Sequence, residues 1–178
     1  MASRYTPVAL DRTLTHRLHE LSKLTDRVTQ LAYEAEVGIP MHEGRCLAAI
    51  GSFSPLSVND LARRANLNKG PASRAAQSLV DQGLVHKDAS ATDGRGVVLT
   101  LTAKGERVWL RAMALIERRN AEIVSCLGPA ERQQFDRLLE RLVSHARESA
   151  DGPESGATKQ SDASKDISAK LRGKAASS

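Results

Sequence analysis

The side chains of this sequence best suited to chemistry are basic and amide-bearing, and none is arranged for covalent catalysis. Asp93-Gly94-Arg95-Gly96 sets one arginine between two glycines. Glycine relaxes the backbone at such a tip, so Arg95 can project away from the protein, and a small polar tip with one arginine suits a narrow, electronegative minor groove. Upstream, Lys69, Ser73, Arg74 and Gln77 fall on one side of a helical pattern. Arginine pairs with guanine edges and glutamine with adenine, while lysine and serine reach phosphates or bases. The chemistry they offer is recognition of double-stranded DNA. No glycine-rich phosphate loop, nucleophile elbow or paired metal motif occurs, so no enzyme and no cofactor is expected. Two cysteines far apart make neither a disulfide framework nor a zinc motif, and the five histidines are scattered, which points to no metal site.

These residues need elements to aim them, and the sequence supplies a helix-turn-helix followed by a hairpin. Ser57 with Asp60 three residues on gives a capping-box-like start, and Val58, Leu61, Ala62 and Ala65 form one apolar stripe. Asn66-Leu67-Asn68 makes the turn, with Leu67 plugging the angle between the helices and Asn68 as N-cap of the second. Pro71 is tolerable in that helix because first-turn amides lack an intrahelical partner. Ala72, Ala76, Leu79 and Val80 share the inward stripe, which turns Ser73, Arg74 and Gln77 outward; Gly83 fits the helix stop. Leu84-Val85-His86-Lys87 is a candidate strand, paired with a second in which Val97, Leu99 and Leu101 alternate with Val98, Thr100 and Thr102. Thr102 then caps a helix. Ser57 and Asn68 at the helix starts and Lys87 on the strand complete the expected DNA-facing set.

The remaining sequence is helical and built for self-association. Leu10, Leu14, Leu18, Leu21, Leu24, Val28, Leu31 and Ala35 predict one long helix over residues 10–36, ended by Gly38 and Pro40, and a second helix spans roughly 41–51. Val108, Ala112, Leu115, Ile116 and Ile123 stripe a helix over about 103–126; Gly128-Pro129 breaks it, and Phe135, Leu138, Leu139, Leu142, Val143 and Ala146 stripe the last. A partner subunit is the economical cover for such faces. The expected fold is mainly α with a small β-hairpin wing: a winged helix-turn-helix domain over 10–147, its DNA-binding part at 41–102, flanked by dimerisation helices at 10–36 and 103–147. Residues 148–178 lose the apolar periodicity and read as a disordered, solvating tail. The net charge of +5 favours a polyanionic partner, and no run approaches a transmembrane span or a signal-peptide core. A cytoplasmic, nucleoid-associated protein is therefore expected.

Leu61-Ala62, Ser73-Arg74, Leu79, Gly83-Leu84-Val85, Asp93-x-Arg95 and Leu101-Thr102-x-Lys104-Gly105 stand in the order and spacing of the MarR family of winged helix-turn-helix transcriptional regulators, which this chain resembles over roughly residues 10–147. Gly70-Pro71 departs from the polar or hydroxyl residues often found there. The resemblance implies a homodimer on a pseudo-palindromic operator, a repressor released by a small-molecule effector, with Arg95 at the wing tip and Asp93 orienting it. It also implies an effector cleft beside the dimerisation helices, often for aromatic carboxylates. His16 and Arg17 match basic residues that relatives turn to a ligand carboxylate, Arg45 can complete the site, and Gly44 stands where relatives place tryptophan, leaving room for a ring. The alternative for Arg17 and Arg45 is ion pairing with residues such as Glu43 and Asp26. Two further alternatives are a redox-responsive regulator acting through Cys46 or Cys126, and a winged-helix protein-interaction module.

Overall fold

The computed structural model describes residues 7–89 and 97–151. They fall in two compact units that part between Ser125 and Cys126. In the first unit a 3-10 turn (Leu10–Arg12) precedes α1 (Leu14–Ala32), and a π-helical turn (Tyr33–Val37) follows it. Then come α2 (Met41–Phe53), α3 (Val58–Arg64), α4 (Lys69–Asp81), the antiparallel pair β1 (Val85–Ala89) and β2 (Val97–Leu101), and α5 (Ala103–Ile123). This is a winged helix-turn-helix, mainly α with one small hairpin, as the residue patterns imply.

The single helix expected over 10–36 is interrupted twice. Thr13 is extended, and its hydroxyl donates to the Leu10 carbonyl at 2.7 Å, closing the 3-10 turn before α1 begins. At the other end the wider turn lets both Tyr33 and Val37 reach the core, and Gly38, at φ +81°, ends it by donating to the Tyr33 carbonyl. No residue of α1 itself is buried: Leu14, Leu18, Leu21, Leu24, Val28 and Leu31 all face outward.

The core lies where α2, α3, α4, the hairpin and α5 meet, with Leu47, Ile50, Leu61, Leu79, Leu99 and Leu115 essentially inaccessible. Ser57 caps α3 as its spacing predicts, accepting from the Asp60 amide at 3.1 Å. In the turn, Asn66 adopts φ +52°, a conformation that asparagine tolerates, and Leu67 packs on the core. Asn68 occupies the N-cap of α4 with extended backbone but makes no side-chain capping bond. The third helical residue is Pro71, which has no N–H to offer, so one of the two bonds open to an N-cap side chain cannot form.

Gly83 takes φ +69° after α4, and the Leu84 amide returns to the Leu79 carbonyl at 2.9 Å. In the hairpin Val85 stands opposite Leu101 and Ala89 opposite Val97, and Leu56 bridges β2 from its other side through Leu99. Thr102 caps α5 by accepting from the Gly105 amide, and its hydroxyl hydrogen goes to the Gly83 carbonyl at 2.8 Å. α5 ends at Ile123, three residues before the predicted limit.

In the second unit α6 (Pro129–Asp151) starts at a Gly128 amide that donates to the Glu131 carboxylate at 2.7 Å. It runs four residues into the stretch expected to be tail, and Phe135, Leu138, Leu139 and Leu142 are exposed along it. Asp93 and Arg95, with the rest of the wing tip, and residues 152–178 lie outside the described residues.

Candidate nucleic-acid interface and effector cleft

α4 has two faces of opposite character. Ala72, Ala75, Ala76 and Leu79 are buried against α2 and α3, while Lys69, Ser73, Arg74 and Gln77 are exposed along the other side. Ala75 was not among the predicted inward residues; it belongs there because alanine is small enough for close helix approach. The Arg74 guanidinium lies back along the helix toward Gly70, its Nη1 3.6 Å from where a Cβ on that glycine would stand. Gly70 thus leaves a flat, open surface at the start of α4, over which a long cation can swing.

The interface joins helix and strand. Lys87 of β1 donates to the Gln77 amide oxygen at 3.1 Å, and the Gln77 amide nitrogen donates to Asp81 at 2.8 Å. Reading adenine with both ends of the Gln77 amide therefore requires its release from two partners. Ser57 needs correction as a DNA-facing donor, because its only hydroxyl hydrogen goes to the Asp60 carboxylate at 2.7 Å. That bond, with Arg63 beside it, holds the Asp60 carboxyl below the usual carboxylate range. Asn68 is exposed at the N-terminus of α4.

The expected effector residues do not converge. His16 and Arg17 are exposed on α1, where Arg17 borders only a shallow groove of α1's own surface with Leu14, Leu18 and Leu21. Gly44 offers no room: a Cβ there would stand 2.1 Å from the Tyr33 ring, which already occupies the space beside it. Arg45 is paired, its Nη2 2.6 Å from Asp26 of α1. It also borders a cleft of about 510 Å³ between α2, α3 and α5, with Ala48, Phe53, Arg64, Met113 and Ile116. In that cleft the Arg64 guanidinium stacks 4.4 Å from the centre of the Phe53 ring. Arg64, Phe53, Met113 and Ile116 carry no local signal in the sequence as a set, because three separate elements bring them together.

Cys46 is fully buried, and burial, with the Glu43 carboxylate adding to it, pushes its thiol up to about 11. A reactive thiol needs the opposite setting, so Cys46 is corrected from a redox candidate to a packing residue. Cys126 is exposed. Among the described residues no three His, Cys, Asp or Glu side chains gather where a metal ion could be held, and no helix is long and apolar enough to cross a membrane.

A profile of the MarR family matches residues 37–96, the span from the end of the π-helical turn to the wing. An HTH-type transcriptional repressor of Mycobacterium tuberculosis is 32% identical over 108 residues, 61% of this chain and 78% of that protein. The chain belongs to the MarR family. An HTH-type transcriptional regulator of Clostridium symbiosum is 30% identical over 93 residues, 52% of this chain and 65% of that protein. Among solved structures, a M. tuberculosis MarR family protein in complex with salicylic acid superposes with a TM-score of 0.63 at 28% identity, covering 76% of this chain and 99% of that one. A MarR/EmrR family regulator from Acinetobacter gives 0.71 at 23% identity over 79% and 99%, a likeness of fold. The family is one of transcriptional regulators that bind DNA, and α4 is the second helix of this chain's helix-turn-helix.

Proposed function

We propose that the protein is a homodimeric transcriptional repressor that grips a pseudo-palindromic operator and lets go when a small aromatic carboxylate fills the cleft beside Arg45 and Arg64. The observation that carries the DNA half is α4, with four buried apolar residues on one side and Lys69, Ser73, Arg74 and Gln77 exposed on the other. Two such helices about 34–36 Å apart would enter successive major grooves of one duplex face. Arg95, oriented by Asp93, would reach the flanking minor groove.

Dimerisation through residues 10–36 and 103–147 would cover the outward apolar side chains of α1, five leucines and Val28, each about half exposed or more. The effector half rests on the cleft's chemistry. Arg64 and Arg45 offer guanidinium forks to a carboxylate, and Phe53, Met113 and Ile116 offer apolar walls to a ring. A M. tuberculosis relative at 28% identity has been crystallised with salicylic acid. Operation in the cytoplasm, at the nucleoid, follows from that role.

Gel-shift titration against duplexes selected by the protein from a random pool, with and without salicylate, tests the whole. Salt-sensitive, sequence-selective binding by a dimer, weakened by salicylate, is the expected result. Indifference to sequence at low ionic strength overturns the DNA half, and selective binding unmoved by salicylate and related acids overturns the effector half.

A further inference from the structure

Glu43 is the one charged side chain buried among the described residues, 7% exposed on α2. One carboxylate oxygen accepts from the Ser78 hydroxyl and the other from the Gln82 amide nitrogen, both at 2.8 Å. Gln82 also reaches the Ser78 oxygen at 3.1 Å, so the three side chains close a ring. Ser78 is the last-but-three residue of α4 and Gln82 its C-cap. The same end of α4 is tied from α5, because the Lys104 ammonium donates to the Gln82 carbonyl at 2.9 Å and Thr102 to that of Gly83.

Apart from that ring, α4 packs mainly through small side chains. Three of its four buried residues are alanines, so the knobs that a neighbour could lock are Leu79 and the half-buried Val80. A turn of about 20° moves groups at a helix's outer radius of ~5–6 Å by about 2 Å. That is enough to take Arg74 or Gln77 out of hydrogen-bond reach of a base edge. Hydrogen bonds have direction where methyl contacts have none, and a buried carboxylate with two short donors defines one rotation of α4.

We infer that Glu43 is the positioning residue of the DNA-reading helix: its carboxylate, bonded to Ser78 and Gln82, fixes the rotation of α4 and thereby the discrimination between DNA sequences. The inference rests on the reading that α4 faces DNA. A buried ionic network can be exchanged for apolar side chains of similar size with little loss of stability, which separates positioning from folding.

The test compares affinity for a duplex selected by the wild-type protein with affinity for a scrambled duplex of the same composition. Glu43→Leu with Ser78→Ala and Gln82→Leu is expected to keep the scrambled-duplex affinity and its salt dependence within about twofold, while the selected-to-scrambled ratio falls about tenfold or more. Glu43→Gln, whose amide can bond both partners once Gln82 flips, is expected to stay within about threefold of wild type. Gln82→Met, at a half-buried position, is read in parallel in case the triple variant does not fold, and should lower the ratio about threefold. A folded triple variant, or Gln82→Met, that keeps the wild-type ratio overturns the inference alone. A wild-type protein that selects no duplex overturns the reading of α4, and this inference with it.

Discussion

The joint between α4 and α5 can be tested at one atom. Gly105 sits in the first turn of α5, and a Cβ built on it lies 1.9 Å from the Leu84 carbonyl oxygen and 2.9 Å from its carbon. Both are backbone atoms, so no side-chain rotation relieves the overlap. Restoring an ordinary close C···O separation of 3.3–3.6 Å requires α5 and the start of β1 to part by about 1.4 Å. Three hydrogen bonds span that seam: the Thr102 amide to the Leu84 carbonyl at 3.0 Å, the Thr102 hydroxyl to Gly83 at 2.8 Å, and Lys104 to Gln82 at 2.9 Å. Lengthened by that amount, none survives. Overpacking and lost hydrogen bonds together put the cost of Gly105→Ala at about 3 kcal/mol after partial relaxation. In thermal unfolding at fixed protein concentration this is a fall in Tm of about 10 °C. A variant whose Tm lies within about 2 °C of wild type would refute the argument that the close approach at Leu84 fixes α5 to the end of α4.

Other expectations follow from the interface, the cleft and the buried thiol. Arg74→Ala should weaken operator binding about 5- to 100-fold in a gel-shift titration, most strongly for the base pairs it contacts, with Tm unchanged. In a thermal-shift titration with salicylate, Arg64→Ala should abolish the stabilisation, whereas Arg17→Ala, on a groove of α1 alone, should keep it. Cys46 is raised from 9.0 to about 11 in the folded protein, so its contribution is fully present below pH ~9 and is lost as pH rises toward 11, because the unfolded chain releases the proton first. The loss should be of the order of 2–3 kcal/mol in alkaline unfolding and smaller in Cys46→Ala. At neutral pH a disulfide-exchange reagent should label Cys126 in the folded protein and Cys46 only on unfolding.

What could be read from the sequence was what depends on neighbours along the chain. Caps at Ser57 and Thr102 and the left-handed Gly83 each follow from three to six adjacent residues, and each stands where it was expected. The exposed side of α4 was legible for the same reason, since helical period alone separates Ala72, Ala76 and Leu79 from Ser73, Arg74 and Gln77. Most long-range pairing was not legible. Tyr33 reaches Gly44 only because a π-helical turn resets the end of α1, so a glycine that looks like vacant space is a contact surface for a phenol ring. Arg64 meets Phe53 across the α2–α3 corner, and Glu43 meets Gln82 across thirty-nine residues. The one long-range pair expected correctly, Arg45 with Asp26, was an alternative drawn from charge complementarity between helices, and it is the one that forms.

That pair and the buried ring around Glu43 share a helix, and their spacing has a mechanical consequence. Residues two apart on an α-helix point about 200° apart. On α2, Glu43 accordingly faces α4 while Arg45 faces α1 and the cleft. A carboxylate entering the cleft competes with Asp26 for the Arg45 guanidinium, so its binding acts on the side of α2 opposite to the bonds that orient α4. α5 repeats the arrangement along its length: Lys104 and Thr102 hold the C-terminal end of α4, and Met113 and Ile116, about 14–18 Å further along the axis from Lys104, line the cleft. On the proposed function, an occupant of the cleft and α4 would thus bear on the same two rods. Such coupling can release DNA only if the occupant binds one placement of α2 and α5 more tightly than the other. A ligand that stabilises the free protein in a thermal shift and leaves the selected-duplex affinity unchanged would lack that difference, and would show that the two rods do not carry the signal.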